Sequence, residues 1–291
     1  MDTNIIIHHV GGRNGSISFD FPKYFKDDLT IVLYEADGDA LERIENHSNE
    51  HYGKHHVLPY CLDSTISNKI LNINRDPYTS SLLKQNTKFK DYYYFQDGAR
   101  HNYDYLWGDA TETIIESKVN TTTLDTILAT ENIPSPDIFC IDTQGSEYDI
   151  LKGSEKALTK VLAIISEVEF SPLYENQPLF SDISRFLQQF GFQFIYFNKL
   201  KEMGAVRTPI TARGRGTHMF SDALFVKSVE QIQLDFSDEL ECKLAIIKLA
   251  FFLISSGYIE KAIKLLNTTD ALKIIIQNKN LLDIKYIKFY V

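Results

Sequence analysis

The chain reads as an α/β protein: a Rossmann-like, seven-stranded, mostly parallel sheet with an antiparallel last strand, plus a C-terminal helical extension. Three observations predict this. Apolar runs too brief for helices recur as far as residue 226, with amphipathic segments between several of them. The final two runs are joined by a long loop without helical periodicity. Parallel neighbours need a helical crossover, so the last strand is free to run antiparallel. From about Asp238 the pattern turns helical, and LAIIKLAFFLISSGYIEKAIKLL reads as two helices around Gly257. The expected division is a sheet domain over residues 1–228, with a polar and aromatic insertion at about 68–123, and a helical extension over 229–291.

In chain order, Asn4–Val10 is the first strand and leads into GGRNG. Glycines there allow close backbone approach to a ligand. An Asn-Gly hairpin turn is the alternative, because Ile17 and Phe19 alternate after Asn14-Gly15. Thr30–Tyr34 ends on Glu35, twenty positions after Gly15, where an acid can accept from both ribose hydroxyls of a nucleoside. No register of the glycines gives GxGxxG, which disfavours a nicotinamide dinucleotide and leaves a smaller nucleoside-bearing cofactor. Asp39–His47 is the first amphipathic helix, and His56–Leu62 is the third strand. Asp63 follows at the same sheet edge, placed either to meet an adenine amino group or as a plain loop residue.

Ile138–Ile141 is a buried strand, and Asp142 puts a carboxylate at its carboxyl end, where open α/β sheets bind ligands. Gln144-Gly145 turns the chain into a helix over Tyr148–Leu158. Glu147 at its start is either functional or simply suits the helix dipole. Leu162–Val168 is the fifth strand. Glu167 and Glu169 share one of its faces by period two, pointing into one cleft or forming a strand-end salt bridge. The helix Phe180–Phe190 stops at Gly191, and Phe192–Phe197 and Ala223–Val226 complete the sheet.

The net charge of −9 and the lack of a long basic block disfavour nucleic acid and anionic membranes as partners. The longest apolar stretch, Leu244–Ile254, contains Lys248 and is too short for a membrane span. The N-terminus shows no signal-peptide pattern. Cys61, Cys140 and Cys242 show no CxxC spacing and fit reduced thiols in a cytoplasmic protein. His47, His51 and His55 recur at helical spacing, but Gly53 interrupts them and no metal site is expected. The stretch RTPITARGRGTH carries Arg207, Arg213, Arg215 and His218 without an acid. It reads as a lid for a phosphate or carboxylate, or as a solvated loop, with His218 a secondary candidate for general base. Tyr92, Tyr93, Tyr94, Tyr103, Tyr105 and Trp107 either pack an inserted hairpin or stack on a sugar.

Several ordered blocks carry a family resemblance. IDTQGSEYDILKGS, with TTTLDTIL (121–128) and SSLL (80–83) before it and ISEVEFSPLYENQPLF (165–180) overlapping the strand that follows, resembles the FkbM-family methyltransferases over roughly residues 5–226. The resemblance implies S-adenosylmethionine as cofactor. Gly11, Gly12 and Gly15 would border its methionine part, with His9, Arg13 and Asn14 in the same loop. Glu35 would hold the ribose, with Ala36 beside it and Asp63 near the adenine. Asp142, followed by Gln144, would lie near the methionine amino group or the transferred methyl. His9 stands where the family usually has an acid, and Cys140 where it commonly has Lys. The implied activity is O-methylation of a hydroxyl on a glycan, nucleotide sugar or related small metabolite. Asp142, Glu147, Glu167 and His218 are then the candidate catalytic groups. A non-catalytic binding module on the same fold is the rival reading. The C-terminal helices are expected either to cover the domain's own surface or to join two copies as a homodimer.

Overall fold

The computed structural model describes residues 4–11, 27–88, 94–95, 105–204 and 216–268. The strands are β1 (Ile5–Val10), β2 (Leu29–Tyr34), β3 (Lys54–Leu58), β4 (Cys61–Leu62), β5 (Asn68–Asn74), β6 (Tyr94–Phe95), β7 (Tyr105–Leu106), β8 (Thr113–Thr122), β9 (Ile138–Ile141), β10 (Ala163–Glu169), β11 (Phe192–Gly204) and β12 (Thr217–Lys227). The helices are α1 (Gly38–His51), α2 (Trp107–Ala110), α3 (Leu124–Thr130), α4 (Glu147–Lys152), α5 (Glu155–Leu158), α6 (Phe180–Gln188), α7 (Val229–Asp235), α8 (Glu239–Ser255) and α9 (Ile259–Thr268).

The main sheet has the order β3-β2-β1-β9-β10-β12-β11-β6-β7. From β3 to β10 every pairing is parallel, and β12 runs antiparallel between β10 and β11. The reversed last strand is thus present, inserted between β10 and β11. Alternation along the strands sends side chains to two cores. One core joins Ile7, Ile31, Cys140 and Ile165 to α1, α8 and α9. The other joins Val32, Phe139, Ile141 and Ile164 to α3, α4, α5 and α6.

Two expected elements divide, each for a local reason. The run His56–Leu62 splits into β3 and β4 around Pro59, which has no N–H to give to a ladder. The helix Tyr148–Leu158 breaks at Gly153, where an added Cβ would come within 2.0 Å of the Asp63 carbonyl oxygen. Two strands of the insertion, β5 and β8, form a small sheet with β4, while β6 and β7 extend the edge of the main sheet. Trp107, at 2% exposure, packs with Leu173, Tyr174, Met203 and Met219, so it holds the insertion down instead of stacking on a sugar. Tyr92, Tyr93 and Tyr103 lie outside the described residues.

The C-terminal part is helical as far as it is described. The apolar residues of α8, among them Ile246, Leu249, Phe252 and Leu253, bury against the chain's own sheet. Lys248 fastens the helix: its Nζ lies 2.8 Å from Asp137 Oδ2, which also accepts from the Ile6 N–H at 2.8 Å. Of the two outcomes expected for these helices, covering the domain's own surface is seen for the apolar face of α8. No described helix is long and apolar enough to cross a membrane.

Candidate functional site

Strand order reverses between β1 and β9, and at such a point the loops diverge and open a crevice at the carboxyl ends. The Gly11 N–H donates to the Tyr34 carbonyl at 3.2 Å, and the Asp142 N–H donates to the Val10 carbonyl at 3.0 Å. Three strand ends are thereby drawn together. Gly11 has φ +88°, and a Cβ there would sit 1.8 Å from the Asp142 carbonyl oxygen, so no side chain fits.

Above this junction lies a cavity of about 350 Å³. His9 and Gly11 line it from β1, Glu35 and Ala36 from the end of β2, and Asp142 and Gln144 from the end of β9. Tyr60, Cys61 and Leu62 form a further wall, and Tyr78, Ser80 and Ser81 close it from the insertion. Glu35 is buried, and its Oε1 accepts from the N–H of Asp37 at 2.8 Å. Asp37 is itself the N-cap of α1, so the helix start and the Glu35 carboxylate orient one another.

The other expected residues fall in different places. Gly12, Arg13, Asn14 and Gly15 lie outside the described residues, as do Arg207, Arg213 and Arg215. Asp63 is fully buried but not on the cavity wall. Its N–H is tied to the Thr122 carbonyl, and its Oδ2 lies 2.5 Å from Lys69 Nζ, which turns it towards the insertion. Glu147 is buried under the turn. It accepts from the N–H and hydroxyl of Thr143 at 2.7 and 3.0 Å, and from the Gly145 N–H at 2.9 Å. Burial pushes its carboxyl up to about 7 against the pull of these hydrogen bonds. Its contacts are those of a brace for the Thr143–Gly145 turn.

Glu167 and Glu169 do come together, as their spacing predicts, but behind the cavity wall. Glu167 Oε2 accepts from Gln144 Nε2 at 2.6 Å, and Glu169 Oε2 is buried without a hydrogen-bond partner among the described residues. Burial, and then the neighbouring carboxylates, raise both acids well above the usual range. The strand-end salt bridge is not found for either acid among the described residues. His218 is exposed on β12, 3.8 Å from Glu202 Oε1, and does not line the cavity. His47 and His51 stack at 4.0 Å, with His51 Nδ1 2.9 Å from the His47 carbonyl oxygen. No cluster that could hold a metal is present among the described residues.

One lining residue escaped the sequence reading for a topological reason. Asp222 lies in the middle of β12, paired with Glu167, and reaches the cavity because an antiparallel strand brings its interior past the carboxyl ends of its neighbours. Only the direction of that strand could have pointed to it. Tyr78, Ser80 and Ser81 were also missed as site residues, although SSLL stood out as a block.

A seven-stranded core with one reversed strand, carrying a glycine, Gly11, against an acid at its switch point, has the architecture of a methyltransferase. The chain belongs to the methyltransferase FkbM domain family, whose model matches residues 9–194. No curated protein matches it in sequence. Among solved structures it is similar to methyltransferase FkbM from Methylobacillus flagellatus, with 11% identity over 77% of this chain and a TM-score of 0.39. The aligned part spans 44% of that longer protein. It is also similar to the magnesium protoporphyrin IX methyltransferase of Synechocystis, with 8% identity, 77% and 71% of the two chains covered and a TM-score of 0.36. A third is TrmK of M. capricolum, with 8% identity, 94% and 92% covered and a TM-score of 0.36.

Proposed function

We propose that the protein is an S-adenosylmethionine-dependent O-methyltransferase acting on a hydroxyl of a glycan, a nucleotide sugar or a related small metabolite. The observation that carries this reading is a single cavity bounded by Gly11, Glu35 and Asp142, each at the carboxyl end of a different strand. These residues fit the cofactor. Gly11, lacking a side chain, lets the end of β1 close on Asp142 at the cavity wall, and Glu35 presents a carboxylate to a ribose diol. Tyr60, Cys61 and Leu62 offer a flat, largely apolar wall to an adenine. The cavity volume of about 350 Å³ lies within the range of small-molecule sites.

When bound, the cofactor supplies a methyl group on a sulfonium; its displacement by an acceptor oxygen yields a methyl ether, S-adenosylhomocysteine and a proton. The chain's task is to align the acceptor behind the methyl carbon, about 3 Å away, and to take up that proton. Asp142 and Asp222 are the carboxylates on the wall beside Gln144, and Ser80 and Ser81 add hydroxyls suited to a polyol. Burial pushes the Cys61 thiol up to about 12, so this neighbour stays neutral and does not compete for the methyl group. The net charge of −9 supports a small acceptor over nucleic acid.

The test is transfer of labelled methyl from S-adenosylmethionine to a panel of hydroxyl-bearing sugars, nucleotide sugars and oligosaccharides. Label is expected in an alkali-stable ether product, in equal amount with S-adenosylhomocysteine. Label recovered only on amines, or cofactor bound without turnover on any acceptor, would contradict O-methylation. The second of these would favour a non-catalytic module.

A further inference from the structure

Gln144 separates the cavity from an acidic pair that the cavity does not reach. It lines the cavity, whereas Glu167 and Glu169 do not and are 6% and 2% exposed. Its φ of +59° is left-handed, which costs about 1–3 kcal/mol for a residue with a side chain and persists only where the surroundings impose it. Here they do. The Ser81 hydroxyl donates to the Gln144 carbonyl at 2.6 Å, and the Tyr174 hydroxyl lies 3.3 Å from Oε1. The amide nitrogen then faces two acids, donating to Asp142 Oδ1 at 3.1 Å and to Glu167 Oε2 at 2.6 Å. An amide has two hydrogens, so each carboxylate receives one.

We infer that Gln144 and Glu167 are positioning residues for Asp142: the amide, anchored on Glu167, fixes Asp142 Oδ1 and leaves Oδ2 to the ligand, while Glu167 itself touches no ligand. This rests on the methyltransferase reading and gives Glu167, a candidate catalytic group by sequence, a supporting place instead. Glu167 is faced by Asp142, Glu147, Glu169, Asp222 and Tyr174. No described lysine or arginine forms a salt bridge with it. Burial and these like charges favour its neutral carboxylic acid form, which still offers Oε2 to the amide. A neutral amide at this position should therefore serve as well as the acid does.

The test is calorimetric titration of the full chain and its variants with S-adenosylhomocysteine at pH 7, with thermal melts run alongside. Gln144→Leu is expected to weaken binding about tenfold or more, and Glu167→Leu similarly, while Glu167→Gln stays within about twofold of wild type. Gln144→Leu/Glu167→Leu should bind no more weakly than Gln144→Leu alone, because the second residue acts through the first. If Glu167→Leu fails to fold, Glu167→Ala takes its place in the cycle. Additive losses, or a Glu167→Gln variant as weak as Glu167→Leu, would mean that Glu167 meets the ligand directly and would overturn the inference. Undiminished binding in Gln144→Leu would overturn it too. A wild-type protein that fails to bind at millimolar ligand would instead overturn the cofactor reading, an outcome separable from the others.

Discussion

Replacing Gly11 by alanine is expected to be costly, because the new Cβ would lie 1.8 Å from a backbone oxygen at a left-handed φ. A loss of at least about 1–3 kcal/mol in urea unfolding follows from the backbone strain alone, and S-adenosylhomocysteine affinity should fall with it. Gly38→Ala is the matched control. Gly38 opens α1, and a methyl group added there would meet nothing within 4 Å, so alanine should leave stability unchanged or raise it by about 0.4–1 kcal/mol. At the same scale, Asp142→Ala should abolish methyl transfer while its melting curve stays that of a folded protein. Wild-type turnover in that variant would remove Asp142 from the mechanism. Gly11, Glu35 and Asp142 were legible in the sequence because each directly follows an apolar run and so sits at a strand's carboxyl end. Asp222 was not legible, since nothing local separates a mid-strand acid facing a cavity from one facing solvent. Asp63 was legible as a strand-end acid, but its partner Lys69 lies across a turn whose path the sequence does not display.

At the scale of elements, α8 is joined to the sheet by a half-buried ion pair as well as by its apolar face. Asp137→Ala would leave Lys248 without that partner and free the Ile6 N–H, so a loss of about 1.5–3 kcal/mol is expected in urea unfolding. A change below about 0.5 kcal/mol would show that α8 is held by apolar contact alone. The helix was visible in the sequence as an apolar stretch, but such a stretch does not say whether its partner is its own sheet or a second copy. Strand cores were read correctly where a run is apolar throughout, as at Ile138–Ile141, which coincides with β9. Boundaries failed where one residue interrupts the backbone, at Pro59 and Gly153. They failed again where half-exposed polar residues continue a ladder, as in β11, which runs on to Gly204.

For the whole molecule, the buried acids set a pH dependence. The folded-state pKa values of Glu147, Glu167 and Glu169 lie above their unfolded values, so the folded state holds protons that the unfolded chain releases. Stability of the ligand-free protein is therefore expected to fall as pH rises from about 5 through 7 and beyond. His8 acts in the opposite sense. Burial lowers its pKa to about 3, so stability is also lost as pH falls below the unfolded histidine value near 6.5. Thermal melts from pH 4 to 9 should show a maximum in the weakly acidic range. In Glu167→Gln the decline on the alkaline side should be shallower, and an identical decline would exclude Glu167 as a source of it.

The acids, Gly11 and the cavity all converge on one claim, that the crevice between β1 and β9 holds S-adenosylmethionine. Isothermal titration of the wild-type chain with S-adenosylhomocysteine tests it most directly. Saturable binding of one ligand per chain, weakened at least about tenfold in Gly11→Ala, is the predicted result; absence of binding at millimolar ligand would contradict it.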